Sequence, residues 1–207
     1  RATWAGEGGG VLLNQCPHNL DIFQWLVGLP SEVTAWAELG KHHNIEVEDE
    51  VTAMMRFDDG AVGTFVTSTG QTPGVNRLEI VGDKATVIFD AGQPVRLLEN
   101  ETPAREFSRT SKNSFATPPH TSYEVQVGGK AGGHRGITEN FVNAVLDGEP
   151  LLAAAEDGIR GLELGNAMLM SGLEGKPVTL PIDRDAYDAL IQQKIDASTA
   201  QPAGAGA

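Results

Sequence analysis

The stretch "VTAMMRFDDGAVGTFVTS" (residues 51–68) decides the fold. Side chains alternate on either side of Asp59-Gly60, a pair that tolerates the positive φ of a tight hairpin turn. Working outward, "EVTAWAEL" (32–39) precedes it, and "NRLEIVG" (76–82), "KATVIFD" (84–90) and "PVRLLEN" (94–100) follow. All are short, rich in β-branched residues and separated by turn chemistry, "VGDKAT" (81–86) being a second tight turn. Strands this close pair antiparallel, because a parallel crossover needs a dozen or more residues. An antiparallel meander is therefore expected from about 32 to 101.

Both faces of that meander carry bulk. Val51, Ala53, Met55 and Phe57 fall on one side, and Thr52, Met54 and Arg56 on the other. A sheet with one solvated face alternates more cleanly. One face is expected to pack on helices and the other on a partner subunit, making the protein a homo-oligomer through its open sheet face.

Helical periodicity flanks the strands. Residues 14–28 read as one helix, with Pro17 in its first turn, an apolar arc of Leu20, Ile22, Phe23, Leu26 and Val27, and a stop at Gly28 and Pro30. "GITENFVNAVLDGE" (136–149) places Ile137, Phe141, Val142 and Val145 on one side, and "EDGIRGLELGNAMLMSGLEG" (156–175) reads as a longer helix. "VTLPI" (178–182) is a last strand, and Asp183 caps a final helix through Tyr187, Leu190, Ile191 and Ile195. Residues 102–133 read as a long loop around one short strand near 121–127, and "STAQPAGAGA" (198–207) as a disordered tail. Helix, strands, then helices indicates a single α+β domain over 1–197: a mainly antiparallel open sheet with helices packed on one face.

Composition narrows the function classes. Against 28 acids stand 15 bases, a net charge of -13, and the bases come singly. An acidic surface without basic patches argues against nucleic-acid and membrane partners. The single cysteine, Cys16, excludes an internal disulfide and fits a reducing, cytoplasmic setting. No apolar run reaches the length of a membrane span, and no histidine pair has metal-ligand spacing. The chain opens on Arg1 rather than Met, as a fragment or excised domain does.

Chemistry concentrates in "GGGVLLNQCPHNLD" (8–21), where Asn14, His18 and Asp21 share a helical stripe. Two readings are open. In the plainer one, Asn14 is an N-cap and Asp21 satisfies the His18 ring. In the other, Gly9 and Gly10 leave room for a ligand, Asp21 fixes the tautomer of His18, the free ring nitrogen takes a hydroxyl proton, and Asn14 binds the same small molecule. His134, with Arg135 at a helix start, is a further candidate for a sugar hydroxyl or anion. His42 and His43 read as a solvated turn, His120 as an exposed loop residue, and Trp4 and Trp25 as core.

"GEGGGVLLNQCPHNLDIFQWLVG" (6–28) resembles the start of the C-terminal domain in the glucose–fructose oxidoreductase / inositol dehydrogenase / MocA family. Further similarity lies at 57–68, 76–90, 136–151 and 161–181, in the family's order. The resemblance implies an NAD(P)-dependent oxidoreductase acting on a sugar, polyol or related cyclic hydroxy compound. His18 matches the family's catalytic general acid or base and Asp21 the acid after it. Asn14 stands where many members carry Asp, so it can orient substrate but cannot accept a proton. The family's NAD or NADP is held mainly by an N-terminal Rossmann domain, which also supplies a catalytic lysine. Neither "GEGGG" (6–10) nor "GGKAGGHRG" (128–136) forms a G-x-G-x-x-G between a strand and a helix. A second expectation is a non-catalytic sugar-binding or dimerisation module of the same fold. A metal hydrolase using the scattered histidines ranks last.

Overall fold

The computed structural model describes residues 2–126 and 132–199. In chain order these form α1 (Trp4–Glu7), α2 (Val11–Asn14), α3 (Pro17–Val27), β1 (Glu32–Leu39), β2 (Glu48–Arg56), β3 (Val62–Ser68), β4 (Arg77–Val81), β5 (Ala85–Asp90) and β6 (Val95–Asn100). There follow α4 (Ala104–Thr110), β7 (His120–Val125), α5 (Gly133–Asp147), α6 (Ala155–Glu174), β8 (Val178–Thr179) and α7 (Arg184–Thr199). Residues 200–207 of the expected tail, and 127–131 of the glycine-rich loop, lie outside the described residues. Ser198 and Thr199, expected in the tail, close α7.

The chain forms two compact units. The first combines the residues up to Gln71 with those from Ile137 onward; the second is Thr72–Gly136. Each has its own four-stranded sheet with antiparallel neighbours, ordered β3-β2-β1-β8 and β4-β5-β6-β7. The expected meander is thus broken between β3 and β4, which share no ladder. The α+β class and the antiparallel pairing stand.

In the first unit, register puts Ala53 of β2 between Ala35 and Phe65. Val33, Ala35, Val51, Ala53 and Met55 are buried on that face, against the buried Leu164, Ala167, Met168 and Leu169 of α6. Fully burying one such side chain stabilises by about 1.5–3 kcal/mol. Ser171 of α6 ties helix to sheet: its Oγ accepts from Ala35 N at 2.9 Å and donates to Lys176 O at 2.7 Å. Asp183 Oδ1 accepts from Ala186 N at 3.0 Å, the cap expected for α7, and Tyr187, Leu190, Ile191 and Ile195 pack on the same core. The opposite face of the sheet is uncovered. Trp36 is 56% exposed, Met54 55% and Val66 64%.

The second unit corrects the loop expected over 102–133. It contains α4, whose first N–H groups are satisfied from a distance: Asp83 O accepts from Ala104 N and Asp83 Oδ1 from Arg105 N, both at 2.8 Å. His120 opens β7, paired with Asn100, and is not a loop residue. α5 runs across the boundary between the units, and none of its residues is buried, so the apolar side expected to face a core is exposed. Among the described residues, no helix is long and apolar enough to cross a membrane.

Candidate functional site

The expected helix over 14–28 is two helices. A residue before proline is pushed out of the α region, so the chain breaks at Gln15–Cys16 and restarts with Pro17 as the first residue of α3. Asn14 ends α2, its N–H donating to Gly10 O at 3.0 Å, and is not the N-cap of α3. Cys16 takes the cap position without a side-chain cap bond. Gly28, at φ +83°, ends α3, its N–H donating to Gln24 O at 2.8 Å.

What holds α3 in place was missed in the sequence: the glycines of α6. A Cβ at Gly165 would stand 3.1 Å from Leu20 Cδ1, and one at Gly161 3.5 Å from the backbone of Asp21. On another side of the helix, a Cβ at Gly172 would fall 2.5 Å from Ala37 Cβ. Each interior glycine costs about 1 kcal/mol of helix propensity relative to alanine. In exchange α6 fits between β1 and α3, and Leu20 and Gln24 of α3 are buried.

Gly9 and Gly10 have a different task from the one expected. Both are buried, and a Cβ on Gly10 would lie 2.0 Å from Glu48 O and 2.9 Å from Val47 Cγ2. The missing side chain admits the start of β2 rather than a ligand. The Gly10 N–H donates to Glu48 Oε2 at 2.8 Å, and Leu12 N–H to Glu48 Oε1 at 3.2 Å. Glu48 has 0% exposure, and burial pushes its carboxyl up while the N–H bonds from Gly10 and Leu12 pull it partly back. Adjacent to it, Asp49 collects the N–H groups of Lys41, His42 and His43 at 3.0, 2.7 and 3.0 Å. Burial opposes its charge, yet those bonds and His43 Nδ1 hold its carboxyl below the usual range. His42 and His43 are therefore organised, not simply solvated: His42 Nε2 meets Glu50 Oε2 at 2.8 Å.

His18 and Asp21 share one face of α3, and both are exposed, as is Asn14 at the end of α2. The His18 ring is therefore open to a ligand and not sealed in the core. The expected His18–Asp21 hydrogen bond is not made among the described residues; Asp21 Oδ1 accepts from Gln24 Nε2 at 3.0 Å. Trp4 is buried as expected, but Trp25 is 77% exposed, further along the face that carries His18 and Asp21. His134 lies in the second unit, near the start of α5, so it shares no unit with His18. Among the described residues, no group of three or more His, Cys, Asp or Glu side chains could hold a metal ion.

The fold is thus antiparallel α+β, with an exposed histidine on the first turn of a helix that follows a buried glycine lead-in. The family described as "Oxidoreductase family, C-terminal alpha/beta domain" matches residues 1–180, and the chain belongs to it. Its similarity extends to scyllo-inositol 2-dehydrogenase (NAD(+)) of Bacillus subtilis (strain 168), 25% identical over 198 residues, 91% of this chain and 53% of that protein. Among solved structures, the WlbA dehydrogenase from Bordetella pertussis in complex with NADH and UDP-GlcNAcA has a similar fold, with a TM-score of 0.61 and 22% identity over 84% of this chain and 46% of that one. Levoglucosan dehydrogenase in complex with NADH and levoglucosan matches with a TM-score of 0.62 and 21% identity, over 84% of this chain and 51% of that one. The chain thus spans about half the length of these relatives.

Proposed function

We propose that the protein carrying this chain is an NAD(P)-dependent oxidoreductase acting on a sugar, a polyol or a related cyclic hydroxy compound, and that this domain supplies the substrate site and the proton-transfer group. The observation that carries the reading is the exposed His18, mounted on the first turn of α3 in a member of this oxidoreductase family. The named relatives support the substrate class: a scyllo-inositol 2-dehydrogenase (NAD(+)), a dehydrogenase solved with NADH and UDP-GlcNAcA, and a levoglucosan dehydrogenase solved with NADH and levoglucosan.

His18 takes or returns the proton of the hydroxyl being oxidised or formed, as a positioned imidazole does near neutral pH. Asp21 places a carboxylate on the same face, its orientation set by Gln24. Asn14, with an amide that both donates and accepts, holds a neighbouring hydroxyl. The glycines here offer no dinucleotide cradle, because Gly9 and Gly10 are buried and the Gly10 N–H is consumed by Glu48. Holding NAD or NADP therefore falls mainly to a part of the protein outside this chain; the nicotinamide supplies the hydride chemistry. His134 stays a candidate for substrate contact.

The open face of the first sheet is a site for a second copy of the chain. On this face Lys41 and His42 pair with Glu50 and Arg56 with Glu32, which lowers the charge around the apolar Trp36, Met54, Val62 and Val66 that would meet their own copies, with Glu38 beside Glu50 the acid left to accommodate.

A panel of inositols, aldoses and sugar acids with NAD+ or NADP+, read by nicotinamide absorbance on the complete gene product, tests the reading. Turnover of at least one polyol or sugar is expected. Inactivity across the panel, with sugar binding or dimer formation retained, favours the non-catalytic module.

A further inference from the structure

Glu48 is a carboxylate placed where an apolar side chain packs more easily. It has 0% exposure at the start of β2, and a buried charge is costly unless hydrogen bonds compensate it. Its two oxygens reach back across the chain to the N–H groups of Gly10 and Leu12, at 2.8 and 3.2 Å. Around that grip the lead-in lies flat on β2, since even a methyl group at Gly10 would collide with Glu48 O. A second tether follows at Cys16, whose Sγ meets Thr67 Oγ1 of β3 at 2.8 Å, and Cys16 O accepts from Leu20 N at 2.9 Å. Between the tethers runs a single helical turn, α2, with Val11 and Leu12 buried. Two residues beyond the second tether comes His18.

We infer that Glu48 is a positioning residue for His18: by holding the N–H groups of Gly10 and Leu12 it fixes α2, and α2 with the Cys16–Thr67 tether fixes the direction in which the first turn of α3 presents the imidazole. The inference rests on the reading of His18 as the proton-transfer group. Displacing that ring by about an ångström is enough to cost on the order of a hundredfold in rate.

A double-mutant cycle in the complete enzyme tests it, using Glu48→Ala, Glu48→Gln and His18→Ala singly and combined. Glu48→Gln keeps the shape and one acceptor, and it imitates the protonated form that burial already favours, so it preserves the fold if alanine does not. The expected result is a fall in kcat of roughly tenfold to a hundredfold for Glu48→Ala, a smaller one for Glu48→Gln, and KM changed by less than about threefold. In the His18→Ala background the same Glu48 changes have almost no further effect, because they act through the missing ring. An equal loss in both backgrounds, or unchanged kcat in both single variants, overturns the positioning role. An unchanged kcat in His18→Ala overturns the reading of His18 itself, a separate outcome.

Amide hydrogen exchange on the same variants needs no substrate. Glu48→Gln speeds exchange at Leu12, Asn14 and Leu20, whose N–H groups bond Glu48, Gly10 O and Cys16 O, while leaving Val51–Met55 protected. Unaltered protection at Leu20 contradicts the inference.

Discussion

Both faces of the β1–β3 sheet carry large apolar side chains, but one is almost wholly apolar and the other mixes them with Thr, Glu and Arg, and their fates differ. On one, Val33, Ala35, Val51, Ala53 and Met55 are buried against α6, and through α6 and its glycines the sheet carries α3. On the other, Trp36, Met54 and Val66 are each more than half exposed. Met54 and Met55 are neighbours in one strand, yet Met55 is 1% exposed and Met54 more than half exposed. The difference teaches that the continuous apolar face is the one the chain covers, with the α6 glycines permitting the close approach, while a face that mixes apolar and charged residues stays exposed. The packed face carries α3 and His18 by way of α6; the bare face is the one proposed above to meet a second copy.

The largest effect expected from this comparison is on stability. Met168→Ala, on the packed side, should destabilise the protein by about 2–5 kcal/mol, measured by urea unfolding, whereas Met54→Ala in a monomeric background should stay within about 0.5 kcal/mol. Similar losses at the two sites break the distinction between the faces. Next comes assembly. Under the proposed self-association of the open face, Trp36→Glu places like charges opposite one another and should lower the oligomeric state in sedimentation at micromolar concentration with little change in unfolding midpoint. An unchanged oligomeric state removes the open face from the interface.

The smallest effect expected is pH-dependent and lies at the edge of the sheet. Lys41 and His42 on the half-buried Glu50 lower its carboxyl from 4.5 to about 2, and Asp49 is lowered as well. A depressed carboxylate contributes stability that is fully present above its unfolded pKa and is lost as pH falls through the folded one. Glu48, raised by burial, has the opposite sign: its contribution is present at low pH and is lost as pH rises through the raised value. Amides of Lys41–His43, held by Asp49, should therefore lose exchange protection as pH falls below the ordinary aspartate value of 3.8, while those of Gly10 and Leu12 keep theirs. Loss of Gly10 and Leu12 protection over the same window contradicts the assignment.

Sequence patterns revealed the six central strands and α3, α5, α6 and α7 because their signals are local: alternation, turn pairs, a proline at a helix start, a glycine at its end. What they concealed depends on partners distant in the chain. α4 has no cap of its own and takes one from Asp83, so "AREFSRT" reads as loop. Glu48 sits in an acidic run that reads as solvated, and its two N–H partners lie 38 and 36 residues away. The α6 glycines carry no pattern that announces a helix crossing above and a strand below. At the site, His18 and Asp21 were legible as a shared face, but the engagement of Asp21 by Gln24 and the burial of Gly9 and Gly10 needed coordinates.

The account stands on His18 doing chemistry, and one kinetic comparison reaches it most directly: kcat of His18→Ala against the unaltered complete enzyme, with substrate and cofactor saturating. The account predicts a fall of about two to four orders of magnitude at an unchanged fold. An equal kcat in the two proteins contradicts it.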